Sequence, residues 1–130
     1  MNALAAAAPA MLLAGAACAV SPAQEAAAVG GEQAWRRCQA FHALEPGANS
    51  PAGPTLHAVV GRRIAAEEGF NYSPALRRFA ERRPRWTAAL LDRFLADPEE
   101  MVPGTEMGFP GMADAAERRA LIDWLEEGGR

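Results

Sequence analysis

Apolar residues recur at helical spacing in three segments of the second half of the chain, at positions 74–83, 85–97 and 113–129. Ser73 and Pro74 suit the start of the first helix, as the N-cap and the first helical residue. Pro98 and Gly128 are expected to end the other two. The inward side of the second helix would consist of Trp86, Leu90, Leu91, Phe94 and Leu95, and that of the third of Ala116, Ala120, Leu121, Trp124 and Leu125.

The first half of the chain is less periodic. Residues 31–42 predict a short helix with one face formed by Ala34, Trp35, Cys38 and either Phe41 or His42. Residues 24–30, which precede this helix, are expected to be a flexible lead-in. Three further segments predict loops: 45–54 and 98–112, which are rich in proline and glycine, and 55–73, which has room for at most a turn of helix.

No segment alternates apolar and polar residues as a half-buried strand does, and no internal repeat is present. The chain is therefore predicted to be all-α, with four or five short helices and long loops. Each of these helices is near or below the length that is marginal in isolation. A large apolar cofactor would supply the core that such short helices do not build by themselves.

The first 20 residues are apolar and rich in alanine, like the central region of a secretory signal. We expect residues 1–23 to be a signal peptide that directs the protein to the periplasm. One alternative is that the segment is retained as an N-terminal membrane anchor. The other alternative is that it is neither a signal peptide nor an anchor. Removal of the segment would take Cys18 with it and leave Cys38 as the lone cysteine. Residues 31–130 would form the folded domain.

A chain of 130 residues suffices for one domain with a small core. The formal net charge is -3, which gives no strongly basic surface of the kind that binds nucleic acid. All 13 basic residues are arginine, and none is lysine.

The stretch RRCQAFH, residues 36–42, points to haem chemistry. Cys38 and His42 stand four residues apart and would share a helix face. With a cysteine in place of Phe41, the stretch would read C-x-x-C-H, which is the attachment motif of a c-type haem. Haem iron can be held by a histidine on one side and a methionine on the other. The chain offers His42 and, far downstream, Met107 in VPGTEMGF.

Six stretches together resemble class I cytochromes c, of the cytochrome c2 or mitochondrial type. They are GEQAWRRCQAFH, GPTLHAVVGR, GFNYSPAL, RWTAALLDRFLADP, VPGTEMGFPG and RRALIDWL, in the family's order and at its spacings. The likeness runs from Gly31 to Leu125. It implies a cytochrome c-like fold wrapped around one haem.

The resemblance also implies a role for individual residues. Cys38 matches a cysteine that forms a thioether with haem, His42 the proximal iron ligand, and Met107 the distal ligand. Met101 and Met112 are competitors of Met107, but neither has the same Pro-Gly-Thr context. Pro54 matches a proline whose carbonyl accepts a hydrogen bond from the proximal histidine. Thr105 matches a threonine beside the distal ligand, and Phe109 matches an aromatic residue that shields the haem. The residues that match propionate-binding positions are Arg62, Tyr72 and Trp86, and those that match the aromatics at the crossing of the first and last helices are Trp35 and Trp124. His57 has no ligand counterpart.

The chain also departs from the family. Phe41 stands where the second thioether cysteine is expected, so haem c would be held by one thioether bond, with the phenyl ring packed on the porphyrin. The stretch is interpreted as a haem site that has lost one anchor, since a single base change turns a cysteine codon into a phenylalanine codon. The alternative is a site that evolved with a single thioether. Phe94 replaces a tyrosine near the distal methionine, and Glu106 replaces a lysine beside Met107.

The function that the resemblance implies is single-electron transfer by a non-enzymatic, monomeric carrier with one iron. Its partners would be a quinol-oxidising donor and an oxidase or a photosynthetic reaction centre as acceptor, with at most transient docking to membrane complexes. Two alternatives remain: open-coordination iron with peroxidase-like activity, and a haem-free helical module with an interaction role.

Overall fold

A computed structural model describes residues 9–10 and 15–130 of the chain. Its helices are α1 (Pro22–Trp35), α2 (Pro74–Arg82), α3 (Ala88–Ala96), α4 (Pro98–Met101) and α5 (Ala115–Glu126). Within the described residues, β-structure is limited to two isolated bridges. The predicted all-α fold is therefore confirmed. Residues 1–8 and 11–14 of the expected signal peptide lie outside the described residues.

Side-chain caps fix the starts of the three helices predicted in the second half. The hydroxyls of Ser73 and Thr87 each accept a hydrogen bond at 3.1 Å from the backbone N–H three residues on. The Asp114 carboxylate accepts from the N–H of Ala116 at 2.8 Å. These bonds satisfy donors that a helix start otherwise leaves without partners. Helices α2, α3 and α5 thus lie where the pattern placed them.

The expectation of a flexible lead-in at residues 24–30 is wrong, because α1 begins at Pro22. Ser21 and Gln24 form a capping box, in which each side chain accepts a hydrogen bond from the other residue's N–H, at 3.3 and 3.0 Å. The alanines that follow favour a helix. In the part of the chain that the structure describes, no helix has both the length and the apolar composition needed to cross a membrane.

Helix α1 also ends earlier than predicted, at Trp35 instead of residue 42. The N–H groups of residues 36–38 donate to carbonyls three positions earlier, so the helix tightens into turns. A second difference is α4, a single helical turn where a loop was expected. Asp97 begins α4 by accepting the N–H of Glu100 at 3.0 Å, and Pro98 occupies the first helical position.

Helix α5 packs against both α1 and α3. The crossing of α1 and α5 brings the ring centroids of Trp35 and Trp124 to 5.8 Å, which confirms the predicted contact of these two aromatics. Gly31 permits this close approach, since a Cβ atom there would lie 2.3 Å from the Cβ of Trp124. The first and last helices therefore form one packed unit.

The core takes most of its residues from the predicted inward faces: Trp86, Leu91, Phe94 and Leu95 around α3, and Leu121, Trp124 and Leu125 of α5. Ala116 was also expected to lie inward, but it is exposed, and Ile122 is buried in its stead. Ala116 lies one turn before Ala120 on the same side of α5, but at the start of the helix, where it lines an open groove beside α1.

Two chain segments far apart in sequence pair beside this core. The N–H of Gly61 donates to the carbonyl of Trp86, at 2.6 Å, and the N–H of Trp86 donates to the carbonyl of Arg62, at 2.9 Å. Ile64 and Pro84 add a third bond, at 2.9 Å. This pairing sets the backbones of Arg62 and Trp86 side by side.

Candidate functional site

The orientation of His42 is fixed by a backbone carbonyl. Its Nδ1 lies 2.7 Å from the oxygen of Pro54. Because a carbonyl oxygen only accepts, Nδ1 carries the hydrogen and Nε2 keeps its lone pair. Burial lowers the pKa of His42, and the charge of Arg62 lowers it further, against the opposing effect of the bond to Pro54. The ring is thus a neutral imidazole with one nitrogen available to a metal.

Gly53 makes room for this ring. A Cβ atom at position 53 would lie 2.8 Å from both Nδ1 and Cε1 of His42, and 2.5 Å from the carbonyl oxygen of Phe41. Any side chain larger than hydrogen would displace the imidazole. Sequence reasoning missed Gly53, because the Pro/Gly-rich composition of residues 45–54 indicated only a loop.

Cys38 lies one turn before His42. The Cys38 carbonyl accepts the N–H of Phe41 at 2.9 Å and the N–H of His42 at 3.0 Å, so the two functional side chains follow each other around a helix-like turn. Cys38 is buried and is not in a disulfide. Burial raises the pKa of its thiol, and Arg37 only partly offsets this effect. Phe41, by contrast, is 56% exposed.

The guanidinium of Arg62 has one hydrogen-bond donor without a partner in the described residues. Its Nη1 donates to the carbonyls of Thr55 and His57, at 2.9 and 2.8 Å. The same Nη1 lies 3.5 Å from a carboxylate oxygen of Glu67. Nε is buried and has no hydrogen-bond partner within the described part of the chain. A buried N–H donor without a partner is costly, so this atom indicates a missing acceptor.

Tyr72 lies in the same region. Its hydroxyl oxygen accepts the N–H of Glu67 at 3.2 Å, and its own hydrogen is left to donate elsewhere. Burial raises the pKa of Tyr72, although the hydrogen bond from Glu67 and the charge of Arg62 lower it. Tyr72 and Arg62 thus each have a donor that a haem propionate could accept from, as the resemblance implies.

Trp86 belongs to an aromatic cluster. Its ring centroid lies 5.0 Å from that of Phe94 and 6.3 Å from that of Phe79, with tilted planes in both pairs. Trp86 is 7% exposed. Its predicted contact with a propionate stays a prediction.

The segment that carries Met107 lies against the core. Met107 and Phe109 are partly buried there, and the hydroxyl of Thr105 accepts the N–H of Met107 at 3.3 Å. Met112 is fully enclosed by protein, at 0% exposure, and is therefore a core residue and not a free ligand. Met101 is partly buried against the same core.

Arg118 holds the far end of this segment. Its Nη1 donates to the carbonyls of Met112 and Ala113, at 2.8 and 3.0 Å, and its Nε donates to Asp92 at 2.8 Å. The N–H of Met112 also donates to the carbonyl of Leu95, at 2.8 Å. Residues of α3 and α5 therefore both hold the end of the Met107 segment at Met112.

These residues fit a haem. Nε2 of His42 and the thioether of Met107 are donors that haem iron takes in cytochromes, the thiol of Cys38 lies a turn from His42, and Arg62 has a donor without a partner. His57, which was not expected to bind, is exposed, with its Nδ1 3.2 Å from the carbonyl of Leu44.

Known proteins resemble this chain in both sequence and structure. No protein-family model matches it. Cytochrome c-550 of Ancylobacter novellus is 39% identical over 82 residues, which are 63% of this chain and 77% of that protein. Cytochrome c2 of Blastochloris viridis is 33% identical over 108 residues, 83% of each chain. The structure of cytochrome cH from Methylobacterium extorquens aligns with a TM-score of 0.69 at 38% identity, over 77% of this chain and 97% of that one.

The relatives confirm the predicted haem c with iron and the general activity, while attachment through one thioether stays a prediction. They are electron-transfer cytochromes, and they carry covalently bound haem c with iron. The chain belongs to the class I cytochrome c family and is an electron-carrier cytochrome.

Proposed function

We propose that this chain transfers single electrons through one haem whose iron is held between His42 and Met107. The observation that carries the proposal is the 2.7 Å hydrogen bond between Nδ1 of His42 and the carbonyl of Pro54. It selects the tautomer whose Nε2 can bind iron, and it holds the ring in one orientation. When bound, the haem supplies the one-electron couple of its iron.

Met107 is the proposed second ligand. Its thioether is a soft donor that favours ferrous iron, and a His/Met pair raises the reduction potential. The enclosure of Met112 argues against that competitor, and Met101, which packs on the core as Met107 does, lacks the Pro-Gly-Thr context of Met107. Ligands on both sides leave no open iron position for a substrate, so we propose electron transfer without enzymatic activity.

Cys38 is the proposed single point of covalent attachment. The thiol adds as S–H across a vinyl group, which forms one carbon–sulfur bond without net oxidation. The support is the position of Cys38 one turn before His42. A second thioether is not possible at position 41, because phenylalanine has no thiol. Phe41 would cover the porphyrin with apolar contact only.

Arg62, Tyr72 and Trp86 are the proposed partners of the propionates, and Phe109 and Thr105 complete the surroundings of the haem and Met107. The Nε of Arg62 is the strongest support, because it is a buried donor that lacks an acceptor. An ionised propionate would supply that acceptor and give a charge-assisted hydrogen bond.

The proposed setting is the periplasm, where the carrier acts as a monomer. A quinol-oxidising complex would donate electrons, and an oxidase or a photosynthetic reaction centre would accept them. The signal-like residues 1–23 and the relation to bacterial cytochromes c2 support this setting.

The experiment is a comparison of His42→Ala with His57→Ala in protein matured in a host that attaches haem. We expect His42→Ala to abolish stable haem incorporation, since no other imidazole is held by Pro54. His57→Ala is the matched control, because that ring is exposed and bonded only to the backbone of Leu44. Its spectrum should match that of the unchanged protein, with six-coordinate low-spin iron. The reverse pattern would overturn the assignment.

A further inference from the structure

One charged group beside the expected propionate site has no part in the proposed function. The carboxylate of Glu67 lies 3.5 Å from Nη1 of Arg62, and both side chains are only 18% exposed. Arg62 and Glu67 are thus an ion pair that is largely shielded from solvent. Such a pair is screened by salt much less than a pair on the surface.

Backbone hydrogen bonds hold Glu67 in this place. Its N–H donates to the hydroxyl of Tyr72, at 3.2 Å. The next residue is also held: the carbonyl of Glu68 accepts from Nδ2 of Asn49, at 2.8 Å, and Oδ1 of Asn49 accepts the N–H of Thr55, at 2.9 Å. The carbonyl of Thr55 in turn accepts from Arg62. The hydrogen bonds of Asn49 and Thr55 therefore link the backbone beside Glu67 to the guanidinium of Arg62.

The charges decide what this arrangement does to the iron. Ferric haem carries one more positive charge than ferrous haem, so a nearby cation disfavours the ferric state and a nearby anion favours it. Arg62 alone would raise the reduction potential. A carboxylate paired with the guanidinium offsets part of that charge and lowers the potential.

We propose that Glu67 is a positioning residue that sets the reduction potential, by acting as the fixed counter-anion of Arg62. This inference rests on the proposed function, in which Arg62 faces a haem propionate. Glu67 holds Nη1, while Nε is left for the propionate, so the guanidinium is shared between two anions. The potential is then set by the balance of three charges and not by Arg62 alone.

The test is the midpoint potential of the purified holoprotein, measured by spectroscopic redox titration. Glu67→Gln keeps the shape of the side chain and removes its charge, and it should shift the potential to a more positive value. Glu68→Gln is the matched control, because it makes the same charge change one residue away at an exposed position that solvent screens. It should shift the potential much less. Glu67→Asp keeps the charge and should stay close to the unchanged protein.

A fourth variant separates this inference from the proposed function. Arg62→Gln should shift the potential in the opposite direction, to a more negative value. If Arg62→Gln does so and Glu67→Gln does not differ from Glu68→Gln, the role of Glu67 is refuted while the propionate role of Arg62 stands. If neither Arg62→Gln nor Glu67→Gln moves the potential, both claims fail. The Met-to-iron absorption band is recorded for every variant, so that each comparison is made with the same iron ligands.

Discussion

Gly30 and Gly31 are neighbours in α1, and replacing each by alanine tests how closely α1 packs against α5. A Cβ atom on Gly31 would lie 2.3 Å from the Cβ of Trp124 and 2.6 Å from the backbone oxygen of Ala120. A Cβ atom on Gly30 would lie 3.4 Å from the Cβ of Ala120, which is an ordinary contact. The two variants share the gain in helix propensity and differ in packing.

The magnitudes follow from these distances. Each replacement gains about 0.8–1 kcal/mol of helix propensity. At Gly31 the new methyl group needs a carbon–carbon separation of about 3.5 Å or more, so the helices must move apart by about 1.2 Å (3.5 minus 2.3). Overpacking typically costs about 1–3 kcal/mol, and a backbone oxygen does not rotate away, so we take the upper end of that range. Gly31→Ala should therefore destabilise the fold by about 2 kcal/mol net, and Gly30→Ala should stabilise it by up to about 1 kcal/mol.

The assay is thermal unfolding of the two holoproteins, followed by far-ultraviolet circular dichroism. A gap of about 3 kcal/mol corresponds to roughly 12 °C or more in Tm for a domain of this size. The difference between the variants cancels their shared change in helix propensity. If Gly31→Ala unfolds at the same Tm as Gly30→Ala, or at a higher one, the close packing of α1 on α5 is refuted.

Three further predictions concern the haem site. Met107→Ala should remove the Met-to-iron charge-transfer band and lower the reduction potential; a variant that keeps both would exclude Met107 as the ligand. Phe41→Cys should raise haem yield and Tm together, through a second covalent link, and the unchanged protein should retain haem through acid-acetone extraction, with a reduced pyridine spectrum between the c and b types. A purely b-type spectrum with complete loss of haem would contradict attachment through one thioether. Gly53→Ala should displace the His42 imidazole and weaken iron binding, which the low-spin spectrum measures; an unaltered spectrum would show that the ring tolerates a methyl group there.

The sequence predicts the helices whose starting residues carry their own signals. Ser73 followed by Pro74 and the apolar period of α5 are local features, so they indicate α2 and α5 without knowledge of the rest of the fold. The sequence prediction is wrong at residues 24–30, because the capping box at Ser21 directly follows an apolar, alanine-rich run that resembles a signal peptide. The close approach of Trp124 to Gly31 joins residues more than 80 positions apart, and no local pattern reveals it.

The site divides in a similar way. His42 and Pro54 could be paired in advance by resemblance, and the structure places their atoms within hydrogen-bond distance. Gly53 and Glu67 could not be found from the sequence alone. Gly53 matters because it has no side chain where the His42 ring lies. Glu67 meets its partner Arg62 only when the loop after Arg62 folds back.

Arg118 gives the segment that carries Met107 a fixed end, and this has a consequence for local unfolding. Buried Val102 closes the other end, so the residues between Val102 and Met112 form a short loop with both ends fastened to the core. Opening this loop exposes few buried apolar groups, because Met107 and Phe109 are only partly buried, so opening costs little free energy. The segment can therefore open as a unit while α3 and α5 stay packed. Hydrogen exchange of its amides would report a free energy well below that of global unfolding, and the proposed bond of Met107 to the iron would be limited by that smaller free energy.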